Sequence, residues 1–402
     1  MKILMVNKFL AENGGSERYM IDLGEHLSKK GHSVEYFGMD QPGKAVGNSF
    51  GIYTKCIDYH TDNLKDKLSS AVGTVYSAEA KRKMREMLVR FQPDVVHLNN
   101  FNYQLTPSVI EAVAEWRWKN KRKCRIIYTA HDYQLLCPNH MMLKNQECCD
   151  ACLKGNYLHC IAGKCIHGSA LRSALGAAEA VYWHAGKTYR EIDAVICCSD
   201  FMKAMFDRQT KIGRKTVALH NFTDVIKPEG LPKKQQVLYF GRFSEEKGMK
   251  TLLAVCRSFP NVHFVFAGTG PLEDEINKLP NAENRGFLGK EELFALIEES
   301  AFSIYPSEWY ENCPYSVMES IQLGTPAVAS RIGGIPELIE DGRTGMLFES
   351  GNADSLSACI RKLINDPDYL VRLQEGCRSA HFPGPEEYTE ELLKIYRGAD
   401  NG

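Results

Sequence analysis

The chain predicts an α/β fold of two doubly wound parallel-sheet domains with a cleft between them, and three observations carry that prediction. Its 402 residues exceed the size at which one hydrophobic core usually stops growing. It opens as strand, glycine turn, helix and strand, and β-like runs then alternate with helical stretches. After the Pro, Gly and Lys-rich stretch "NFTDVIKPEGLPKKQQ" the same alternation restarts, which reads as a linker between two similar units.

In order, "MKILMVN" is a buried-strand run. In "SERYMIDLGEHLSKKG", Tyr19, Met20, Leu23 and Leu27 recur at helical spacing and Gly31 ends the helix before a strand at Val34 to Phe37. Further strands are expected in "DVVHLNN", "CRIIYTAHD" and "DAVICCSD". The second unit offers "VLYFGRF", "VHFVFAGTG", "FSIYPS", "PAVAS" and "GMLFE". "EEYTEELLKIYRGAD" closes the chain as an amphipathic helix. The expected division is 1–222, with a cysteine-rich insertion near 137–167, then 223–384, then a C-terminal helix in 385–402 that can pack back on the first domain.

Composition excludes several classes. Hydrophobic residues at 44% and charged residues at 25% are globular values, and no apolar run reaches the length of a membrane-spanning helix. The expectation is a cytoplasmic protein, peripheral at most on the inner face of a membrane. A net charge of −1 hides an asymmetry: residues 1–222 hold 31 Lys and Arg against 22 Asp and Glu, and the remainder 18 against 28. The basic half suits an anionic partner.

The residues that suggest chemistry lie mostly in the second half. "FGRFSEEKG" places Arg242 and Lys247 just beyond a strand end, where open α/β sheets bind ligands, and two cations there can clamp a diphosphate and stabilise charge on a leaving group. Solvated loop charges are the plainer alternative. "AGTGPLEDEI" is strand, glycine turn and helix, but it lacks the third glycine of a dinucleotide fingerprint. In "WYENCPYSVMESIQLGTPAVASRIGGIPELI", Glu311 precedes Pro314 at the entry to a helix, so Ser316 and Val317 present amides where phosphate binds readily. Glu319, eight residues on, can accept hydrogen bonds from a ribose diol. The pair could also be a glycosidase acid and base, but such enzymes need no cationic clamp.

Together "GRFSEEKG", "AGTGPLEDEI", "RGFLGKEEL" and the Glu311 to Glu319 motif resemble the retaining, nucleotide-sugar-dependent glycosyltransferases of family 4, with the GT-B fold of two Rossmann-like domains. The resemblance runs from "NGGSERYMIDLGEHLSKKGH" to the last helix. It implies that Glu311 contacts the donor sugar, Glu319 the ribose, and Arg242 and Lys247 the diphosphate without a metal. Gly14 and Gly15 match the glycine loop that approaches the diphosphate, where a side chain would obstruct. Gly241, Gly268, Asn312, Tyr315, Ser316 and Val317 fall on the donor side in the same reading, and Phe287 and Leu288 where backbone reads the base. His131 matches the family's active-site histidine, and with Asn100 and Tyr133 it stands on the acceptor side; a packed histidine at a strand end is the alternative.

The function so implied is retaining transfer of a sugar from a UDP- or GDP-sugar to a glycan or lipid-linked acceptor in surface-polysaccharide assembly, with no cofactor for catalysis. A sugar-nucleotide-binding or epimerising enzyme of the same fold is the runner-up.

Two stretches stand apart. "WRWKNKRKCR", residues 116–125, mixes basic residues with Trp116 and Trp118 and suits an anionic membrane surface or else a solvated helix end; no nucleic-acid motif accompanies it. Six cysteines fall between Cys137 and Cys165. Their spacings are looser than those of the usual zinc ribbon, but thiols this dense can assemble a structural zinc site from Cys148, Cys152, Cys160 and Cys165, with reduced thiols as the alternative.

Overall fold

The computed structural model describes residues 1–56, 73–209, 212, 215–225 and 230–399. Residues 226–229 of the expected linker and 400–402 of the expected C-terminal segment lie outside them. The chain divides into two units: residues 1–145, 149–221 and 385–402 form the first, and 146–148 with 222–384 the second.

The first unit is built on six parallel strands: β1 (Lys2–Val6), β2 (Ser33–Phe37), β3 (Val95–Leu98), β4 (Arg125–Ala130), β5 (Ala194–Cys197) and β6 (Thr216–Ala218). Their order across the sheet is β6-β5-β4-β3-β1-β2. Every residue of β3 and β5 is buried, as a parallel sheet covered on both faces requires. Helices α1 (Gly15–Lys29), α2 (Ala78–Phe91), α3 (Ser108–Lys119), α4 (Leu158–Ala162), α5 (Ala170–Ala185) and α6 (Asp200–Asp207) join them. Ser77, Ser169 and Ser199 cap α2, α5 and α6 by accepting from the third amide along.

The second unit repeats the plan with β7 (Lys234–Phe240), β8 (His263–Ala267), β9 (Ala282–Asn284), β10 (Ser300–Tyr305), β11 (Ala327–Ser330) and β12 (Gly345–Phe348), ordered β9-β8-β7-β10-β11-β12. Helices α7 (Met249–Ser258), α8 (Glu273–Asn277), α9 (Lys290–Glu299), α10 (Tyr315–Gln322), α11 (Ala353–Asn365) and α12 (Pro367–Arg378) complete it. Its core joins Phe243, Leu252, Phe264, Phe266, Ile304 and Leu356, all nearly inaccessible. The strand order reverses between β7 and β10, and such a switch point leaves a crevice beyond the carboxyl ends of those two strands.

The last helix, α13 (Pro385–Arg397), returns to the first unit. The Tyr388 and Tyr19 hydroxyls meet at 2.6 Å, and the Tyr396 hydroxyl meets Nδ1 of the fully buried His97 at 2.6 Å. His97 Nε2 meets Thr129 Oγ1 at 2.7 Å, so the helix is tied to β3 and β4 through a closed polar chain. Burial drives the His97 imidazolium down to about 3, which leaves the ring neutral.

Glu179 on α5 is only 3% exposed, its Oε1 has no hydrogen-bond partner, and burial pushes its carboxyl up to about 8. The folded state therefore holds a proton there that the unfolded chain releases above the ordinary carboxylate range. Stability should fall as pH rises from about 4.5 toward 8, by a few kcal/mol at most. Glu179→Gln should flatten that slope and stabilise the protein most at pH 8, as read by urea melts at several pH values. An unaltered slope would mean that Glu179 is ionised and solvated.

Candidate functional site

The switch point of the second sheet is where the predicted residues converge. A recess of about 80 Å³ there is lined by residues that include Gly241, Arg242, Lys247, Glu311, Ser316 and Val317. Pro314, read from the sequence as the helix entry, lines it too, as do Tyr239, Phe240, Tyr305, Ser307 and Ile335, which sequence reasoning did not single out.

Each side chain is placed by a local device. The turn after β7 carries Arg242, which is exposed, and the Tyr239 hydroxyl fixes the turn by donating to the Arg242 carbonyl at 2.7 Å. Gly268, at the end of β8, has φ +144°, and a Cβ there would stand 1.9 Å from the Gly241 oxygen. The two loops thus press backbone to backbone, which only glycine allows. A short 3₁₀ turn, Glu245–Lys247, then delivers Lys247 to the recess.

Glu311 sits in the loop between β10 and α10, 6% exposed. Lys247 Nζ donates to its Oε1 at 2.6 Å and Ser307 Oγ donates to the same oxygen at 2.7 Å; neither bond uses Oε2. Burial would push this carboxyl up, but the Lys247 ammonium and the Ser307 hydroxyl outweigh it and hold it below its usual range. The Gly-Gly that follows in sequence explains the loop's shape. A Cβ on Gly333, at φ +58°, would lie 2.2 Å from the Glu311 backbone carbonyl oxygen, while Gly334 N–H donates to that carbonyl at 2.8 Å. Gly-Thr-Pro closes α10 onto β11 instead. Thr325 Oγ1 donates to the Ile297 carbonyl at 2.6 Å, and the Ser320 hydroxyl donates to the Thr325 carbonyl at 2.9 Å.

Helix α10 has Pro314 as its N-cap, and its first turn reaches the recess through Ser316 and Val317, the Val317 amide donating to the Pro314 carbonyl at 3.2 Å. A positive helix end, an exposed Arg242 and Lys247 make the recess suited to an anion. Glu319 lies one turn further along α10, 3% exposed, and is not part of the recess wall. Neither are Gly268, Asn312, Tyr315, Phe287 or Leu288. Phe287 is 82% exposed on the loop after β9.

In the first unit, His131 follows β4, partly buried, with Nε2 2.9 Å from Asn99 Oδ1 and its ring edge-on to Tyr19. Burial lowers its imidazolium to about 3, so it is neutral at physiological pH. Asn100 Nδ2 donates to Ser16 Oγ at 2.9 Å beside the Gly14 and Gly15 loop, and its amide donates to Asn7 Oδ1 at 2.8 Å. Gly14 is extended at φ −178° and a Cβ there would meet only Glu17 Oε2, at 3.4 Å. The unit's own packing therefore does not demand glycine at that position. Tyr133 is fully buried, its amide donating to the His140 carbonyl at 3.0 Å. Asp132 and His140 were missed: His140 stacks on Tyr103 at 4.7 Å and lies 3.8 Å from Asp132, whose carboxyl burial raises to about 6. The adjacent His-Asp pair at a strand end was the available signal.

Two family models match the chain. "Glycosyl transferases group 1" covers residues 221–379, and "Glycosyltransferase Family 4" covers 13–226, more than half of the chain. The chain belongs to Glycosyltransferase Family 4. Among relatives, this family 4 chain is 32% identical over 143 residues to the sulfoquinovosyl transferase SQD2 of Arabidopsis thaliana, covering 34% of this chain and 28% of that one. It is 29% identical over 183 residues to the alpha-D-kanosaminyltransferase of Streptomyces kanamyceticus, covering 42% and 47%. These matches thus span between about a quarter and a half of the relatives' own lengths. Among solved structures, sucrose-phosphate synthase from Thermosynechococcus elongatus superposes with a TM-score of 0.71 at 17% identity over 99% of both chains. Anabaena HepE in complex with UDP-glucose does so at 0.66 and 18%, over 99% of this chain and all of that one. At that identity the likeness shows the fold, which is GT-B.

Two further stretches of this family 4 chain have definite surroundings. Of the proposed zinc ligands, Cys152, Cys160 and Cys165 pack into one cluster, but among the described residues no three of the thiols of Cys148, Cys152, Cys160 and Cys165 stand within ligand distance of one another. Cys148 belongs to the second unit, its thiol directed at the Glu308 carbonyl. Cys160 instead neighbours Cys165, and Cys152 neighbours Cys137, which the expected set omitted. Burial pushes the Cys160 thiol up to about 12, so it is protonated as it stands. In the 116–125 stretch, Trp116 is buried and Arg117 is bound to Glu191 and Asp193, each at 2.8 Å. Trp118 and Lys121 to Lys123 remain exposed.

Proposed function

We propose that the protein is a retaining glycosyltransferase that moves a sugar from a UDP- or GDP-sugar to a glycan or lipid-linked acceptor in polysaccharide assembly. The observation that carries this is the grouping of Arg242, Lys247, the α10 amides and a buried carboxylate, Glu311, in one recess at a sheet switch point. A diphosphate satisfies the cations and amides, and Glu311 remains to hold sugar hydroxyls. The named transfer activities of the kanosaminyl and sulfoquinovosyl relatives, and the UDP-glucose held by the Anabaena structure, favour a nucleotide-sugar donor.

Lys247 has three donors and spends one on Glu311, so it can also contact phosphate. As the sugar–phosphate bond breaks, negative charge grows on the leaving diphosphate, and Arg242 and Lys247 stabilise it more than they stabilise the intact donor. In the front-face route, the departing phosphate oxygen takes the acceptor proton and the new bond keeps the sugar's anomeric configuration. Glu311 positions the sugar and need not become a covalent partner. In the first unit, a neutral His131 can donate or accept one hydrogen bond without carrying charge.

Acceptor-dependent release of nucleoside diphosphate, with a product whose anomeric configuration matches the donor's, is the expected outcome with the right substrates. Conversion of the donor to another sugar nucleotide without acceptor would replace transfer with epimerisation. With two side-chain cations in the recess, EDTA should leave the rate within about two-fold, whereas a catalytic metal would typically be worth several kcal/mol.

A further inference from the structure

Helix α5 is apolar on the face it turns to solvent. Leu171, Ala174, Leu175, Ala178, Val181 and Tyr182 recur at three- and four-residue spacing, which puts them on one stripe. Leu171 is 81% exposed, Val181 53% and Tyr182 49%. The opposite face already serves the fold: Gly176, Ala177, Ala180 and Trp183 are buried. A helix of 16 residues spans about 24 Å, so the stripe is long for an unpartnered apolar surface. Leu158 on α4, which packs against α5, adds another side chain at 70% exposure.

The charges along the stretch that carries the stripe are mostly of one sign. Between residues 153 and 190 there are five basic side chains, Lys154, Lys164, Arg172, Lys187 and Arg190, all exposed, against one acid. That acid is Glu179, buried and proton-bearing at neutral pH. Among the described residues, the acids that bound this stretch, Asp150 and Glu191, are already paired with Arg208 and Arg117, so a second copy of the chain docked symmetrically on this face would bring like charges together. A surface of anionic headgroups over an apolar interior matches both features, the stripe entering the acyl boundary and the lysines and arginines meeting phosphate.

We propose that the solvent face of α5 seats the first unit on an anionic lipid surface. The site is distinct from residues 116–125, and it does not depend on the sugar-transfer reading.

The test is co-sedimentation of the full chain with phosphatidylcholine vesicles, with and without phosphatidylglycerol, at low and physiological salt. Binding should be at least about ten-fold tighter with phosphatidylglycerol and should weaken with salt. The double variant Leu171→Glu/Val181→Glu changes only exposed positions, so it should melt and bind UDP or GDP as the parent does while losing about ten-fold or more in vesicle affinity. Arg172→Glu/Lys187→Glu should remove the preference for phosphatidylglycerol and keep the residual apolar binding. Vesicle binding that is absent in the parent, or equal in parent and Leu171→Glu/Val181→Glu, overturns the proposal. So does a concentration-dependent dimer in sedimentation velocity that Leu171→Glu/Val181→Glu dissociates, since a second copy would then be the occupant. Because nucleotide binding is read separately, failure of the donor reading would leave this result unaffected.

Discussion

Lys247→Ala is expected to lower the turnover number at saturating donor by about 100-fold or more, near 2.7 kcal/mol of transition-state stabilisation, the scale of a well-placed electrostatic donor. Two losses combine. The leaving diphosphate forfeits a cation, and Glu311 forfeits the ammonium that stands 2.6 Å from its Oε1 and holds its carboxyl below the usual range. With burial then opposed only by the Ser307 and Trp309 side chains, that carboxyl should rise, and the residual activity should acquire a steeper acid limb as Glu311 protonates. Lys247 is partly exposed, so the cost in folding stability should be about 1 to 2 kcal/mol, well under what an entirely buried pair would show. Lys247→Arg should recover part of the rate, because it keeps the charge in a different geometry. Steady-state kinetics beside urea melts separate these effects. A turnover number within two-fold of the parent in a folded Lys247→Ala would remove this lysine from the reaction.

Glu311→Gln and Glu319→Gln are expected to differ in kind. Glu311 lies in the recess with one oxygen already engaged, so a sugar that distorts and gains positive charge meets it most strongly in the transition state. Its glutamine variant should lose about 100-fold in turnover with a much smaller change in the donor Michaelis constant. Glu319 stands one turn along α10, outside the recess wall, and a ribose contact there is nearly equal in ground and transition states. Its glutamine variant should raise the donor Michaelis constant about ten-fold and leave turnover within about three-fold. Similar small effects in both would mean that the two carboxylates serve the packing of α10.

Much of this site was legible in the sequence because its devices are local. A strand ending in Gly-Arg, a helix opened by Pro314 and a glutamate just before it can be read from neighbours in the chain. The other strands of both sheets, all but the edge strands β6 and β9, were equally legible, since buried parallel strands are short continuous apolar runs. What the sequence withheld depends on partners far along the chain. Ser307 reads as a loop serine until the fold turns its hydroxyl onto Glu311. Gly333 reads as a turn until its missing Cβ proves to be the space that the Glu311 backbone occupies. The edge strands β6 and β9 are three residues each, too short for a period to register. Arg117 looked like surface charge because its acids, Glu191 and Asp193, lie over 70 residues away in sequence. The neighbours of the cysteines were hidden for the same reason: spacing alone could not show that Cys137, at the edge of the insertion, is the thiol beside Cys152.

The central claim is that the recess at the β7 and β10 switch point holds the diphosphate of a nucleotide sugar. Calorimetric titration of the parent and of Arg242→Ala with UDP, GDP and the corresponding nucleoside monophosphates tests it most directly. The account predicts that one diphosphate binds tightly, that its monophosphate binds at least about ten-fold more weakly, and that Arg242→Ala erases most of that difference by removing a charge-assisted contact. Equal affinity for diphosphate and monophosphate in the parent, or an Arg242→Ala protein that still prefers the diphosphate as strongly, would contradict it.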